Sequence, residues 1–245
     1  MSLHVERTGE RDRPEDQMEP LFAEGFPAFI TADQLAKQCI GRVREWFTDQ
    51  DLILLDDDDE PVATGWGVPL RWTGELKDLP TGYTDSIVRA VEAREQQVEP
   101  DTFVICGAIV RPDLKGKGVA GELLTALRHL ADEAGWSRVI APVRPTLKAR
   151  YPLTPIDSYI TWTRDDGSPL DPWIRTHWRL GARIVQAAPE SQTMTGTVVE
   201  WEHWTGLVLP ESGDYVIPDG LSVLHVDRPA DLGTYVEPNV WMQHK

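Results

Sequence analysis

Three glycines and two lysines lie between an apolar run and a predicted helix in the stretch RPDLKGKGVAGELL, residues 111–124. A strand that leads through glycines into a helix leaves backbone N–H groups unpaired at the positive end of the helix dipole. The missing side chains also allow an anion to approach the backbone closely. These residue types in this order therefore predict a site for a phosphate-bearing ligand.

Two common phosphate loops fit this stretch poorly. The nucleoside-triphosphate loop needs G-x-x-x-x-G-K-[ST], and neither Gly116 nor Gly118 has a second glycine at that spacing. Gly116, Gly118 and Gly121 do match the dinucleotide pattern G-x-G-x-x-G. However, Arg111 and Pro112 separate the turn from its strand, and no acidic residue ends a second strand about twenty residues further on. The dinucleotide match is therefore weak.

A third pattern fits better, because residues 110–121, VRPDLKGKGVAG, resemble the acetyl-CoA loop of the GNAT acetyltransferase superfamily. The core of that loop is [Q/R]-x-x-G-x-[G/A]. Residues 115–120 supply it here, with Lys115 at the position that usually holds Arg or Gln. In that family the amides of the turn hold the pyrophosphate of coenzyme A, and the preceding strand pairs with the pantetheine arm. The resemblance therefore implies cofactor contacts from Ile109, Val110, Lys115, Gly116, Lys117, Gly118, Val119 and Ala120.

A histidine takes the place of a family tyrosine. GNAT enzymes often carry Y-x-x-L-G-F before a strand, and the tyrosine protonates the departing thiolate. This chain has H-W-R-L-G-A, so the resemblance implies that His177 takes that role. Histidine titrates near neutral pH and can act as acid or base. The alternative is a half-buried helical histidine that makes an ordinary hydrogen bond.

The segment around this histidine, DPWIRTHWRLGA, also resembles the GNAT-like domains of polyketide-synthase loading modules. Those domains use a histidine and a threonine to decarboxylate malonyl-CoA. Thr146, which follows the predicted strand SRVIAPV, is then the candidate partner of His177. A surface threonine without a catalytic role is an equal alternative. Under this interpretation an acyl carrier protein is a partner.

Several other polar and aromatic residues allow two interpretations. Glu200 and Glu202 alternate along a predicted last strand, GTVVEWEHW, and are either a source of a general base or charges at a sheet edge. The acidic run at residues 56–59 is interpreted as a solvated hairpin turn in preference to a metal cage. Four tryptophans either wall an acceptor pocket or pack in the core: Trp66, Trp72, Trp162 and Trp173.

The helices and strands that must position these residues can be predicted from the periodicity of apolar residues and from capping and turn residues. We expect a helix with Thr31 as its N-cap, a hairpin in LILLDDDDEPVATGWGVPLRW and a buried strand in TFVICGAIV. The helix after the glycine turn should end at Gly135, and the helix that carries His177 should have Asp171 as its N-cap. Residues 144–172 are too rich in proline for regular structure, and the tail from Leu209 onward is predicted as loop.

This order of elements also follows the GNAT pattern. The resemblance implies an α/β GNAT fold, with a central mixed sheet flanked by helices, an aromatic and Pro-rich insertion and a C-terminal extension. We expect residues 1–245 to form one domain, with a core at about residues 4–205 and the extension at residues 206–245.

Composition limits the partners and the compartment. A net charge of −16 opposes binding to nucleic acid or to an anionic membrane. Cys39 and Cys106 lie far apart, so no disulfide framework and no metal site is expected. The first 17 residues are charged where a secretory signal needs an apolar core, and no run of about 18 apolar residues occurs. We therefore expect a cytoplasmic protein.

The sequence thus predicts an acyl-CoA-dependent acyltransferase whose cosubstrate is acetyl-CoA or another acyl-CoA. The leading interpretation is an N-acetyltransferase that passes an acetyl group directly to a small-molecule amine. The alternatives are a malonyl-CoA decarboxylase or carrier-loading enzyme of the same fold, and a non-catalytic module that binds acyl-CoA. A homodimer is compatible with each of them.

Overall fold

A mixed β-sheet runs through the centre of the computed structural model, which describes residues 2–11, 13–22 and 26–244. Within those residues the sheet has nine strands: β1 (His4–Arg7), β2 (Leu52–Leu55), β3 (Pro61–Leu70), β4 (Thr102–Val110), β5 (Arg138–Val143), β6 (Arg183–Gly196), β7 (Gly213–Val216), β8 (Val223–Asp227) and β9 (Leu232–Gln243). The helices are α1 (Glu15–Phe22), α2 (Gln34–Trp46), α3 (Tyr83–Glu95), α4 (Val119–Glu133), α5 (Ile156–Tyr159), α6 (Pro172–Arg179) and α7 (Val198–Thr205).

The strands are ordered β1-β2-β3-β4-β5-β9-β8-β7, and β6 also pairs with β9. Strands β4 and β5 are parallel and are joined through α4, whereas the neighbouring pairs β3–β4 and β5–β9 are antiparallel. This arrangement confirms the expected α/β class with a central mixed sheet.

Helices cover both faces of the sheet. On one face, α4 and α6 pack over an apolar cluster that includes Phe103, Leu123 and Ile174. On the other face, α2 and α3 cover a cluster that includes Trp72 and Trp241. We call these the α4 face and the α2 face. A third cluster, which contains Phe29, Trp201 and Tyr235, lies under the C-terminal strands.

The predicted helix boundaries are mostly confirmed. Gly135 follows Ala134, the C-cap of α4, and has a φ of +76°. The Asp171 carboxylate accepts hydrogen bonds from the amides of Trp173 and Ile174 at the start of α6. The N-cap predicted for α2 is wrong. Asp33, not Thr31, accepts the bond from the Ala36 amide, because Thr31 lies inside a separate short 3-10 helix, Ala28–Ala32.

Two predictions about the C-terminal third are wrong. Residues 198–205 form α7 instead of a strand, because Thr197 and Glu200 make a reciprocal capping box at its N-terminus. The tail after Leu209 is not loop, since it contains β7, β8 and β9. Strand β9 lies inside the sheet, between β5 and β8 on one edge and β6 on the other, so the core extends well past residue 205.

The Pro-rich insertion at residues 144–172 is ordered and contains the short helix α5. Tyr151, Tyr159 and Trp162 pack together with ring centroids 4.9–6.3 Å apart. The Tyr159 hydroxyl donates to Asp171 at 2.8 Å, which ties the insertion to the start of α6. Among the described residues, none of the helices has both the length and the apolar composition needed to cross a bilayer.

Candidate active site

A gap opens in the sheet where β4 and β5 separate. The two strands are paired only between Thr102–Val104 and Arg138–Ile140. From Cys106 onward most of β4 is only half-buried, although β3 still covers its other edge. The backbone of Ile109 and Val110, two of the predicted cofactor-binding residues, therefore lies on the strand segment that borders the gap.

A β-bulge bends β4 at the start of this gap. The register with β3 changes from Trp66 opposite Gly107 to Gly67 opposite Ile105, which leaves Cys106 without a partner. An extra residue on one strand bends it and increases its twist, so the bulge explains why β4 turns away from β5. The sequence TFVICGAIV carried no clear signal for the bulge apart from Gly107.

The loop after β4 presents the predicted phosphate turn to solvent. Leu114 is buried and anchors the loop, whereas residues 115–118 are exposed. Gly116 and Gly118 have φ values of +79° and +90°. Residues other than glycine adopt this backbone region only with strain. A Cβ built on either glycine has no atom within 4 Å, so the turn is open.

The N-terminus of α4 provides unpaired amides beside this turn. Among the described residues, the N–H groups of Gly118, Val119 and Ala120 have no hydrogen-bond acceptor. Gly118 has no side chain that could cap the helix. The positive end of the helix dipole and the nearby Lys117 add to the positive potential. The turn therefore fits the diphosphate of a nucleotide cofactor such as coenzyme A.

His177 lies on α6 on the α4 face of the sheet. Its side chain is 2% exposed and packs edge-on against Trp173, with ring centroids 4.5 Å apart. Its Nδ1 lies 2.8 Å from Nε2 of His244, which follows β9. The backbone amide of His244 donates to the carbonyl of Val139, so the two histidines are level with the closed end of the gap.

The electrostatics of His177 differ from those of an exposed histidine. Burial lowers the pKa of its imidazole well below the usual value, and the neighbouring His244 lowers it further. The ring is therefore neutral at pH 7. Its Nε2 is buried and has no hydrogen-bond partner among the described residues. Most buried polar atoms in folded proteins have a hydrogen-bond partner, so this nitrogen is available to a ligand.

Thr146 is exposed and follows the end of β5. The next amide, that of Leu147, donates to the Asp171 carboxylate at 2.7 Å, which places Thr146 near the N-terminus of α6. His177 lies six residues further along, which corresponds to about 9 Å of helix rise. No hydrogen bond joins Thr146 and His177 in the part of the chain that the structure describes.

The α2 face of the gap has an aromatic wall that sequence reasoning only partly identified. Trp66 and Tyr83 are half-buried and meet edge to face, with centroids 6.0 Å apart. Trp72 is buried in the core, and Trp162 and Trp173 pack on the α4 face. Of the four tryptophans considered from sequence, Trp66 alone borders the gap on the α2 face.

Asp51 is a candidate functional residue that the sequence analysis missed. It precedes β2, and the pairing of Leu52 with Gly65 puts it beside Trp66. Burial raises the pKa of its carboxyl to about 7, although Arg44 opposes the shift. Among the described residues its carboxylate has no hydrogen-bond donor. The only sequence signal was a polar residue immediately before an apolar strand.

The two glutamates considered as general bases have structural partners. The Glu200 carboxylate accepts hydrogen bonds from the amide and hydroxyl of Thr197 in the capping box of α7. The Glu202 carboxylate accepts the amide of Leu209 and lies 3.8 Å from Arg228. Both therefore stabilise α7 and the turn that follows it. Within the described residues, no group of three or more His, Cys, Asp or Glu side chains is arranged to hold a metal ion.

Comparison with known proteins agrees with this geometry. Residues 16–153 match the model of the acetyltransferase (GNAT) family. The chain is also 30% identical over 260 residues to arginine N-acetyltransferase avaD from Aspergillus versicolor, an alignment that covers 94% of this chain and 87% of that protein. The chain belongs to the GNAT acetyltransferase family. It is therefore an acyl-CoA-dependent N-acetyltransferase, as the acetyl-CoA loop predicted.

Two solved GNAT structures share the fold along the whole chain. One is the loading GNATL domain of CurA from Lyngbya majuscula, with a TM-score of 0.58 and 15% identity. The other is the GNAT-like decarboxylase GphF in complex with isobutyryl-CoA, with a TM-score of 0.57 and 15% identity. Each comparison covers 100% of this chain and 98% of the other chain. The fold of these two proteins therefore extends over the C-terminal strands as well.

Proposed function

We propose that this GNAT enzyme acetylates an amine of arginine or of a closely related cationic small molecule. The observation that carries the proposal is the 30% identity, over 94% of this chain, with a named arginine N-acetyltransferase. An alignment of this extent includes both the acetyl-CoA loop and α6, the helix that carries His177.

Charge and aromatic side chains on the α2 face support a cationic acceptor. The net charge of −16 attracts cations toward the protein. Asp51 supplies a carboxylate close to Trp66, and Trp66 and Tyr83 present aromatic rings that attract an ammonium or guanidinium group. The exposed acidic residues Asp16 and Glu19 lie on α1, which packs against β3 and β4.

The acetyl donor is proposed to bind along β4 and the start of α4. The amides of Gly118, Val119 and Ala120, with Gly116, Lys115 and Lys117, would hold the diphosphate. The backbone of Ile109 and Val110 would pair with the pantetheine arm. Bound acetyl-CoA supplies an acetyl group that the thioester activates for transfer.

Two side chains are proposed to assist the transfer, and a third is proposed to take no covalent part in it. Asp51, with a pKa of about 7, accepts a proton from the acceptor ammonium and so frees its lone pair. His177 is neutral, so its Nε2–H stabilises the departing sulfur by a hydrogen bond instead of delivering a proton from an imidazolium. Burial raises the pKa of the Cys106 thiol, which supports direct transfer without an acyl-cysteine.

The acceptor is tested by supplying purified enzyme with acetyl-CoA and a panel of amines. We expect acetylated product, detected by mass spectrometry, from arginine and lysine, with a lower kcat/KM for neutral aromatic amines. Agmatine, which lacks the carboxylate of arginine, shows whether that carboxylate is recognised. The absence of product from every cationic amine would refute the proposal.

The second candidate function, decarboxylation of malonyl-CoA with Thr146 and His177, has weaker support. This candidate is supported by the fold that the whole chain shares with a loading domain and a decarboxylase, each at 15% identity. Incubation with malonyl-CoA distinguishes the two: loss of carbon dioxide that depends on both Thr146 and His177 would favour this candidate and an acyl carrier protein as partner.

We also propose that residues 1–245 form one domain and that the enzyme acts in the cytoplasm. One sheet and its helices use strands from both ends of the chain, β1 and β9, which supports the single domain. Cys39 and Cys106 are both free thiols, which fits a reducing compartment. A homodimer is compatible with this proposal and is tested by light scattering.

A further inference from the structure

Two histidines that lie 67 positions apart in the chain form a buried pair. His177 comes from α6 and His244 from the end of β9, with Nδ1 of the first 2.8 Å from Nε2 of the second. The side chains are 2% and 8% exposed. The distance is that of a hydrogen bond, so one of the two facing nitrogens carries the proton and the other accepts it.

The outer nitrogens of the pair have no partners. Among the described residues, Nε2 of His177 and Nδ1 of His244 are both buried without a hydrogen bond. Burial lowers the pKa of both imidazoles, that of His244 to about 4 with a further contribution from Arg128. Both rings are therefore neutral at pH 7, and each holds one proton.

Two proton arrangements satisfy these conditions. In the first, Nδ1–H of His177 donates to His244, and the outer N–H of the pair lies on Nδ1 of His244. In the second, Nε2–H of His244 donates to His177, and the outer N–H lies on Nε2 of His177. The arrangements differ in which histidine presents a free N–H and which presents a bare lone pair.

Arg128 favours the second arrangement. It lies on α4, donates to the carbonyl of Leu180 at 3.1 Å after α6, and is close enough for its charge to act on His244. His177 occupies the Nε2 side of the His244 ring, so Nδ1 is the polar atom of that ring that has no partner among the described residues. A guanidinium repels an N–H and attracts a lone pair, so the proton is better placed on Nε2.

We propose that His244 is a positioning residue that holds His177 in the tautomer with its proton on Nε2. His244 donates Nε2–H to Nδ1 of His177, which orients the ring and leaves its Nε2–H free for the departing sulfur. The inference rests on the proposed role of His177 in transfer. It adds a residue outside the acetyl-CoA loop whose contribution is made entirely through His177.

The tautomer can be observed directly by 15N NMR of the imidazole nitrogens in the full-length enzyme, with His177→Phe used to assign the signals. We expect a protonated Nε2 and an unprotonated Nδ1 for His177, unchanged between pH 6 and pH 9. His244→Leu removes the donor and should give a mixture of tautomers. His244→Gln keeps an N–H donor near the same place and should restore the wild-type tautomer.

Activity supplies a second readout. We expect His244→Leu to lower kcat by roughly 10-fold without a change in KM for acetyl-CoA, and His244→Gln to recover most of that loss. A proton on Nδ1 of His177 in the wild type, or an unchanged tautomer in His244→Leu, would overturn the inference. If the tautomer responds but His177→Phe is fully active, the proposed role of His177 fails while the positioning by His244 stands.

Discussion

Trp66 lies directly against Gly107 of the neighbouring strand. A Cβ on residue 107 would stand 2.3 Å from the indole Nε1 and 2.7 Å from Cδ1 of Trp66. This close approach occurs beside the bulged residue Cys106, where β4 begins to separate from β5. The absence of a side chain at Gly107 therefore allows the Trp66 ring to pack against β4 at the point where the strand bends.

Gly107→Ala should displace Trp66 and disturb the bulge. We expect a loss of about 1–3 kcal/mol in the free energy of unfolding, because the extra carbon overpacks a filled site. The KM values for acetyl-CoA and for the acceptor should both rise. Gly41→Ala on α2, where a Cβ meets nothing within 4 Å, is the matched control and should keep wild-type kinetics. Identical kinetics and unfolding in both variants would contradict this account.

Gly118→Val tests the acetyl-CoA turn. Gly118 and Gly135 lie before and after α4, both have positive φ, and a Cβ on either has open space. Gly135→Val is the control. Valine should strain the backbone at both positions by about 1–2 kcal/mol, so the two variants should lose similar stability. Calorimetry should show that only Gly118→Val loses affinity for coenzyme A, by at least about 10-fold. Equal affinity in the two variants would move the diphosphate site elsewhere.

His177→Phe should leave the binding of acetyl-CoA almost unchanged and lower kcat by about 100-fold, because the N–H that is proposed to stabilise the departing sulfur is lost. The variant should also be less stable by about 1–3 kcal/mol, since Nε2 of His244 loses its partner in the core. His129→Phe changes an exposed histidine on α4 and should have wild-type kcat. Single-turnover measurements separate the chemical step from product release.

Asp51→Asn should change the pH dependence of both activity and stability. If Asp51 accepts the acceptor proton, kcat/KM of the wild type rises through about pH 7, and the variant loses that rise. The folded-state pKa of about 7 exceeds the usual 3.8, so the carboxyl contributes stability at low pH that is lost as pH rises from about 4 to 7. The variant should therefore have a higher Tm than the wild type at pH 8, and a smaller difference at pH 5.

Asp49→Asn is the control for that experiment, because Asp49 is exposed two residues earlier in the chain. Its activity profile and its Tm should follow the wild type at both pH values. An Asp51→Asn enzyme with an unchanged pH profile would show that another group accepts the proton.

Arg144→Met should destabilise the sheet around β9. Glu237 is fully buried, and its carboxylate accepts Arg144 Nε at 2.6 Å and the Tyr235 hydroxyl at 2.8 Å. Removing the arginine leaves an unpaired buried charge, which costs about 3–5 kcal/mol. Arg228→Met breaks a more exposed contact with Glu202 and should change the free energy of unfolding by less than about 1 kcal/mol. Chemical denaturation measures both variants, and equal losses would refute the role of the buried pair.

Local patterns in the sequence determined the unit that we propose binds acetyl-CoA. An apolar strand, a turn with two positive-φ glycines and a helix that ends at Gly135 all follow from residues within about 35 positions, and the structure has all three. Such features are encoded by neighbours along the chain, because φ preferences and helix termini depend on adjacent residues. The start of α6 is also encoded locally, because Asp171 caps the amides that follow it in the chain. The capping box T-x-x-E at Thr197 was also a local signal, and it would have identified α7 as a helix.

Only the tertiary structure decided which distant residues meet. Strand β9 contains Gly, Glu, Pro and Asn, and it is buried because β5, β6 and β8 supply its partners from elsewhere in the chain. Neither the contact between His177 and His244 nor the high pKa of Asp51 has a pattern in the sequence. Burial and pairing across the fold create both, since desolvation depends on what packs against a group and not on its neighbours in the chain.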